Sequence, residues 1–221
     1  FRKFYFLFCR QNFLPIKKEA KFSKIDELFA ASTMAEIEIT KELYAEYSQL
    51  RGQLFEDFAA LKLNKIKYSS DVLIEKAQKL LDRVIFVCFC EDKGLIDKRN
   101  ILMEAYESGK AFNSSWNNFK QVFRWIDVGN DDPPIEGYNG GLFEYDPILD
   151  EVLKIDSLRC QQLARLGRYD FDSEVSVDIL GHIFEQSIAD LEELQRQATG
   201  VKTDKKEAKN KSKRKVQGVY Y

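Results

Sequence analysis

The segment KLLDRVIFVCFCEDKGLI, residues 79–96, decides the fold of this chain. Within it, seven consecutive residues from Val84 to Cys90 are apolar, and apolar residues also recur at three- and four-residue steps from Leu73 onward. A helix that is apolar nearly all round must be surrounded by other elements. The segment therefore predicts the central helix of a bundle, with the inward residues Leu73, Ala77, Leu80, Leu81, Val84, Cys88 and Phe89.

Both ends of this helix carry sequence signals. Ser70 or Asp71 can cap its N-terminus by accepting a hydrogen bond from a free backbone N–H. Gly94 is placed to end it in a left-handed C-terminal cap, with Leu95 folding back onto the last turn. The predicted helix lies between these two signals.

A longer helix precedes it. Thr33 and Glu36 have the spacing of a capping box, in which a hydroxyl and a carboxylate bind free backbone N–H groups. Beyond this box, one apolar stripe runs along about six helical turns. Its members are Ile39, Leu43, Tyr47, Leu50, Leu54, Phe58 and Leu61.

Two helices follow the central one. A short helix is predicted over residues 101–107, and another starts at Ser114 or Ser115. The second carries an aromatic face, for which packing in the core is favoured over base stacking. The residues of this helix that are spaced for one face are Trp116, Phe119, Val122, Phe123 and Ile126, with Trp125 beside them.

The next segment breaks the helical pattern. Asp-Asp-Pro-Pro and Asn-Gly-Gly are turn signals, so an ordered loop is predicted at about residues 127–146. Asp146 is expected to cap a helix over residues 148–155, with Pro147 in its first turn. A further short helix is expected to end near Gly167.

A last long helix is predicted from Ser173 or Ser176 to about Gln197, and the Lys-rich stretch after Gly200 indicates a flexible basic linker. The chain has only four Pro and eleven Gly in 221 residues, which favours long helices over a β architecture. We therefore expect an all-α, irregular multi-helix bundle with one long ordered loop and a flexible C-terminal linker.

Charge is distributed unevenly along the chain, whose net charge is −2. Residues 1–24 hold seven Lys or Arg against one Glu, and residues 202–215 hold eight against one Asp and one Glu. Each end thus contributes +6, and the rest carries −14. An acidic body with basic ends indicates that contacts with nucleic acid are made near the ends; the open alternative is that both ends are solvated tails.

The cysteines and the apolar runs exclude several protein classes. Four cysteines show no disulfide-framework or zinc spacing, and the chain has a single His, which favours free buried thiols in a reducing cytoplasm. The longest apolar run has seven residues, far short of the roughly 18 that a membrane span needs. No metal site and no membrane partner are predicted.

Two groups of side chains could in principle carry catalysis. Asp82, Glu91 and Lys93 follow the order of the Asp…Glu-x-Lys pattern, in which carboxylates of metal-dependent nucleases bind Mg²⁺. That chemistry needs strands facing one metal, so a cluster of charges at a helix end is the favoured interpretation. His182 has no nucleophile beside it in the sequence, which favours a polar residue on a helix face, paired with Glu185.

Four phrases, taken in order, resemble one protein family. They are LLDRVIFVCFCEDKGLI at 80–96, GYNGGLF at 137–143, VDILGHIFEQSI at 177–188 and KRKVQGVYY at 213–221. Together they resemble the single-chain type IIG restriction–modification proteins and their relatives, which are adenine-N6 DNA methyltransferases with a nuclease domain fused in front. The resemblance covers roughly residues 39–221, and the order of the phrases makes it more specific than any single one.

The resemblance implies a non-catalytic helical connector between two catalytic domains. Residues 1–32 would be the end of an upstream, nuclease-side region, 33–200 the connector, and 201–221 a basic linker with the first residues of a truncated methyltransferase domain. The parent protein would act on double-stranded DNA in the cytoplasm. Its cofactor would be S-adenosylmethionine, with Mg²⁺ as a second candidate for an endonuclease activity.

Two sets of candidate binding residues lie near the C-terminal end, one implied by the resemblance and one by charge. Gly218, Tyr220 and Tyr221 match the opening motif of the methyltransferase domain, which borders the S-adenosylmethionine pocket; the Thr-Pro that follows it in the family and the catalytic motif are not in the sequence. The basic run can neutralise DNA phosphates of any sequence. Its candidate DNA-binding residues are Lys209, Lys211, Lys213, Arg214 and Lys215.

Two other interpretations stay open. One is the equivalent region of a phage-defence adenine methyltransferase that has no nuclease. The other is a free-standing helical protein-interaction module with basic tails.

Overall fold

The computed structural model describes residues 9–15, 22–61, 68–96, 100–112, 114–138 and 140–175, together with a few single positions before and after these ranges. Five α-helices form most of the described part: α1 (Lys24–Ala60), α2 (Ser70–Asp92), α3 (Ile101–Lys110), α4 (Ser115–Val128) and α5 (Ser157–Ala164). The chain is mostly helical, which confirms the predicted all-α multi-helix fold. Shorter elements are 3₁₀ turns at Arg10–Phe13 and Arg165–Arg168, a π-helical turn at Pro147–Val152, and a two-stranded antiparallel hairpin, β1 (Asn130–Asp131) with β2 (Pro134–Ile135).

Helix α1 begins earlier than the sequence pattern predicts. The capping box that starts it is formed by Ser23 and Asp26: the Ser23 hydroxyl accepts a hydrogen bond from the Asp26 N–H at 3.2 Å, and the Asp26 carboxylate accepts one from the Ser23 N–H at 2.7 Å. Thr33 lies inside the helix and donates its hydroxyl to the Phe29 carbonyl at 3.0 Å. The predicted start at Thr33 is wrong, because a second Ser-x-x-Asp pattern upstream satisfies the free N–H groups first.

The core is built around α1 and α2, which lie antiparallel. Tyr47 of α1 contacts Asp82 of α2, and Arg51, one turn further along α1, contacts Gln78, one turn earlier in α2. The inner residues of the α1 stripe, from Leu43 to Phe58, are buried as predicted. Twelve residues of α2 are buried on several sides, which confirms that it is the central helix. They are Leu73, Ile74, Ala77, Leu80, Leu81, Arg83, Val84, Ile85, Val87, Cys88, Cys90 and Glu91.

The C-terminal end of α2 forms a Schellman cap around Gly94. This glycine has φ +68°, and its N–H donates to the Glu91 carbonyl, while the Leu95 N–H donates to Cys90. The predicted cap is therefore confirmed. The expectation that Leu95 folds back onto the helix is wrong: its side chain is exposed, and Ile96 is the buried residue that packs on the core.

Helices α3 and α4 form a tight hairpin. The Ser115 hydroxyl donates to the Tyr106 carbonyl at 3.0 Å, and the Asn118 amide donates to the Ala105 carbonyl at 2.9 Å. The two backbones meet at Gly109, where an added Cβ would lie 2.5 Å from the Ser115 nitrogen. On α4, the predicted aromatic face lies in the core, with Trp116, Phe119, Val122, Phe123 and Ile126 all buried.

The predicted loop after α4 is ordered and contains the short hairpin of β1 and β2. Gly129, with φ +90°, turns the chain out of α4, and Gly137 returns so close that an added Cβ would lie 2.8 Å from the Val128 carbonyl carbon. The two-residue strands were not predicted, because two Asp and two Pro residues leave no alternating pattern. Asp146 caps the next helical turn as expected: its Oδ1 accepts from the Ile148 and Leu149 N–H groups, both at 3.1 Å.

The predicted last helix is only partly within the described residues. Leu180, Gly181, Ile183 and Glu185 are helical, and Leu180 and Ile183 are buried in the same core. Residues 173–175 are described and form turns and a bend, so the predicted start at Ser173 is wrong. The alternative start at Ser176, the other positions of that helix and the basic linker lie outside the described residues. Among the helices that are described, none has the length and apolar character needed to cross a lipid bilayer.

Two glycines give a matched test of this packing. A Cβ at Gly52, within α1, meets nothing within 4 Å, so Gly52→Ala is expected to raise the free energy of unfolding by about 0.5–1 kcal/mol. Gly109→Ala forces α3 and α4 apart and is expected to lower it by about 1–3 kcal/mol. Urea denaturation of both variants measures the difference, and equal effects would contradict the close approach at Gly109.

Candidate functional site

The most densely connected polar site of the described chain centres on Arg83 of α2. Its side chain is only 1% exposed. The guanidinium donates to the carbonyls of Leu142 and Glu144, both at 2.8 Å, and to the Asp150 carboxylate at 2.9 Å. It also lies 5.5 Å from the centre of the Phe123 ring. A buried guanidinium is tolerated when its donors are bound in this way, so the arrangement holds residues 142–150 against α2.

Asp146 extends this connection by about two turns of α2. Its Oδ2 accepts hydrogen bonds from Lys76 at 2.8 Å and from Lys79 at 3.3 Å. Its own backbone N–H donates to the second oxygen of Asp150 at 2.7 Å. We call these five residues, Lys76, Lys79, Arg83, Asp146 and Asp150, the α2 clasp. The clasp binds residues 146–150 to α2 at both ends of this segment.

Electrostatics favour the charged form of the clasp. Burial raises the pKa of Asp146, but the hydrogen bonds from Lys76, from the Leu149 N–H and from Lys79 outweigh burial and lower that pKa to about 2. Burial acts to lower the pKa of Lys76, yet its bonds to Asp146 and Glu75 raise the pKa overall. The ion pair is therefore formed throughout the neutral pH range.

A second polar cluster lies between α1 and α2. The Asp82 carboxylate accepts hydrogen bonds from the Tyr47 hydroxyl at 2.7 Å and from the Gln78 amide at 2.8 Å, and Gln78 also contacts Tyr47 and Arg51. Burial raises the pKa of Asp82, and the bonds from Tyr47 and Gln78 oppose this rise only in part. These groups bind one another across the helix pair and join α1 to α2.

The nuclease-like charge pattern at the end of α2 is dispersed in space. Glu91 accepts the Ile101 N–H at 2.6 Å and so caps α3, and Asp92 accepts the Phe171 N–H at 2.9 Å. Lys93 donates to the Asp172 carboxylate at 2.8 Å. Glu91 thus attaches α3 to α2, whereas Asp92 and Lys93 both attach residues 171–172. Across the described ranges, no group of three or more His, Cys, Asp or Glu side chains could hold a metal ion.

Two further clamps join α1 to the C-terminal part of the described chain. Arg159 of α5 donates to Asp57 at 2.7 Å and also binds Gln53. Glu46 accepts hydrogen bonds from Arg168 and from the Tyr169 hydroxyl, both at 2.9 Å. Together with the Tyr47–Asp82 bond, these contacts fasten α1 at two levels along its length, at residues 46–47 and at residues 53–57.

A cleft of about 250 Å³ lies where the end of α1 meets the segment before α5. Its lining is apolar apart from Lys154, Asp57 and Asp156. Asp57 is bound by Arg159, and Asp156 caps α5 by accepting the Arg159 N–H at 2.7 Å. Both carboxylates therefore hold structure in place, and the cleft lacks the converging polar groups typical of a ligand site.

Cysteine side chains contribute packing. Cys88, Cys90 and Cys160 are free and buried, as the sequence predicts, and Cys9 is free and partly buried. Burial raises the pKa of Cys90 to about 11 and that of Cys160 to about 12, and it raises the pKa of Cys88 further. These three side chains are protonated thiols at neutral pH and are poor nucleophiles.

The predicted binding residues near the C-terminal end lie outside the described residues. This applies to the cofactor-binding set Gly218, Tyr220 and Tyr221, and also to His182. It applies equally to the predicted DNA-binding set, Lys209, Lys211, Lys213, Arg214 and Lys215. All of these assignments stay predictions.

Sequence reasoning missed the α2 clasp except for the cap at Asp146. A signal was present: Arg83 directly precedes the seven-residue apolar run, on a helix expected to be buried nearly all round. A charged residue at such a position needs a partner, and that requirement could have been stated. The sequence could not show which segment supplies this partner, since the Arg83–Asp150 contact spans 67 residues.

Comparisons of this chain with protein-family models, with curated proteins and with solved structures find no match. Its function is therefore inferred from its own residues.

Replacing Arg83 tests the clasp. Arg83→Met leaves Asp150 without its buried partner and two loop carbonyls without donors, so the free energy of unfolding is expected to fall by about 3–5 kcal/mol. Arg124→Met is the control, because Arg124 is 59% exposed and its ion pair in the described structure is with nearby Asp127; this variant should change stability by about 0.5 kcal/mol or less. Equal losses in thermal or urea denaturation would refute a central role for Arg83.

The clasp also predicts a pH dependence. The pKa of Asp146 is lowered from 3.8 to about 2 in the folded state, so its contribution is complete above about pH 4 and is lost as the pH falls through 2. The free energy of unfolding of the wild-type protein should exceed that of Asp146→Asn by roughly 2 kcal/mol at pH 6, and this difference should disappear near pH 2. Asp172→Asn, at an exposed ion pair, should show little gap at either pH. A gap for Asp146→Asn that is unchanged at pH 2 would contradict the assignment.

Proposed function

We propose that this chain is a helical spacer domain of a restriction–modification DNA methyltransferase, which holds nuclease and methyltransferase domains at a fixed separation on DNA. The observation that carries the proposal is the set of clamps along α1 and α2. A spacer keeps two domains at a fixed distance only if its helices neither slide nor bend. The clamps oppose both movements, because they connect segments that are far apart in sequence.

Length supports the spacer role. Helix α1 has 37 residues, which correspond to about 55 Å along its axis. Its C-terminal half packs on α2, where Tyr47 binds Asp82, and is fastened through Glu46 and Asp57 to two further segments. A long helix bends less when one side is bound at several levels, so the described body is suited to keep two domains apart.

The use of charged groups is in keeping with this role. Arg83, Asp82, Glu91 and Asp92 each bind an element of the same chain. Methyl transfer with S-adenosylmethionine, and DNA cleavage with Mg²⁺ where the parent cuts DNA, would take place in flanking domains. The basic run at 209–215 would contact phosphates of double-stranded DNA at the junction, and the parent protein would act in the cytoplasm.

The same helical body could serve a phage-defence methyltransferase that has no nuclease, and the clamps do not distinguish the two parents. A protein-interaction module is a second candidate function, favoured by one observation. Several large apolar side chains near the N-terminal end of α1 are exposed, and such groups often mark contact surfaces.

Rigidity can be measured by electron-spin distance measurements between labels at Lys41→Cys on α1 and Leu158→Cys on α5, in a Cys9→Ser background. We expect one narrow distance distribution, because Arg159 ties α5 to α1. Arg159→Ala should broaden it, whereas the exposed neighbour Arg165→Ala should not. A broad distribution before any clamp is removed would rule out the rigid-spacer proposal.

Assays of activity and DNA binding test the rest of the proposal, namely that the chain is non-catalytic and contacts DNA through its basic run. Methyl transfer to DNA or plasmid nicking by this chain would rule out a non-catalytic spacer. Binding to duplex DNA should fall when Lys211, Lys213 and Lys215 are replaced by Gln, and should fall steeply with salt. Binding that persists at high salt would contradict contacts made only through phosphates.

A further inference from the structure

Large exposed apolar side chains are concentrated near the N-terminal end of α1. We call residues 24–38 of this helix the arm. Phe29 is 69% exposed and Met34 72% exposed, and the side chains of Leu28 and Ile37 are also exposed. Soluble surfaces rarely carry so many large apolar groups close together unless the surface binds something.

Five arm residues form one stripe. With 3.6 residues per turn, the positions one, four, five and eight residues after Phe29 lie with it in one sector of the helix, roughly 140° wide. The centre of this sector is turned by about a third of a revolution from the side that Leu43 and Leu50 bury against the core. The stripe consists of Phe29, Ala30, Thr33, Met34 and Ile37, all of them exposed.

Within the arm itself, the charged side chains beside the stripe are acidic. Residues 25–40 contain four Asp or Glu and no Lys or Arg. Glu27 and Glu38 are exposed and lie along the side of the stripe next to Met34, and Asp26 lies at its N-terminal end. Hydrogen bonds from Ser23 lower the pKa of Asp26, so this carboxylate is charged at neutral pH. Lys24 and Lys41 lie at the two ends of the region.

We propose that the arm is a docking site for an amphipathic helix whose apolar stripe is bordered by Lys or Arg. An apolar stripe on a helix is covered most fully by a second helix that inserts its own stripe, and the bordering charges then select the partner. Carboxylates along the stripe attract basic borders and repel a second copy of the same arm. They also repel an anionic lipid surface.

The arm is formed before any partner binds. The Ser23–Asp26 capping box satisfies free N–H groups at its N-terminal end, and the helix continues without a break into the clamped half of α1. Binding therefore does not have to order this segment, which reduces the entropy cost of association. A rigid, pre-formed stripe of this kind suits a helix-on-helix contact better than an extended peptide.

The probe for this site is a pair of synthetic helical peptides that share one Leu stripe and differ only in the bordering residues, Lys in one and Glu in the other. Fluorescence anisotropy should show the Lys peptide binding the full chain at least about ten-fold more tightly, with an affinity that falls as salt is added. Equal binding of the two peptides would overturn the proposal.

Variants of exposed residues locate the contact without unfolding the chain. Phe29→Ser combined with Met34→Ser should weaken binding of the Lys peptide by about ten-fold or more. Glu27→Gln with Glu38→Gln should weaken it less and flatten its salt dependence. Phe112→Ser is the matched control, because Phe112 is 86% exposed but follows α3, and its replacement should leave affinity unchanged.

Three outcomes would overturn the assignment of the partner. One is retention of peptide binding by the Phe29→Ser, Met34→Ser variant. The second is concentration-dependent dimerisation of the wild-type chain that this variant abolishes, since that would make a second copy the occupant. The third is binding of the wild-type chain to phosphatidylserine vesicles in preference to the Lys peptide.

Discussion

The described fold depends on one buried charge. Arg83 sits in the middle of α2, the central helix of the core, and its side chain is only 1% exposed. Such a group is stable only if its donors find acceptors. These acceptors come from one segment, residues 142–150, as the carbonyls of Leu142 and Glu144 and the carboxylate of Asp150. The position of residues 142–150, which include the start of the helical turn capped by Asp146, is therefore set by α2.

Local patterns predicted the helices because the signals that decide them are local. The apolar run after Arg83, the stripe on α1 and the aromatic face of α4 each follow the helical period, and the structure buries them. The glycine cap at Gly94 and the Asp146 cap were predicted for the same reason. The start of α1 was misplaced because Ser23 and Thr33 carry equivalent capping signals, and sequence alone does not rank them.

Long-range pairings could not be predicted from the sequence. Nothing near Glu46 indicates that Arg168 and Tyr169 will bind it, and nothing near Asp92 indicates the Phe171 N–H. Such contacts depend on how whole helices pack, which a periodic pattern does not specify. The candidate cofactor-binding residues rest on a resemblance and the candidate DNA-binding residues on charge. Both sets lie outside the described part of the chain, so their roles stay predictions.

The chemistry of the Arg83 contacts has a consequence for variation among related sequences. Two of its three acceptors are main-chain oxygens, and a main-chain oxygen is present whatever the side chain. Substitutions at Leu142 or Glu144 that keep the backbone path would leave those two bonds intact, whereas a change at Asp150 would remove the third. The side chains at positions 142 and 144 can therefore change, and with them the surface exposed to solvent, while this segment stays bound to α2.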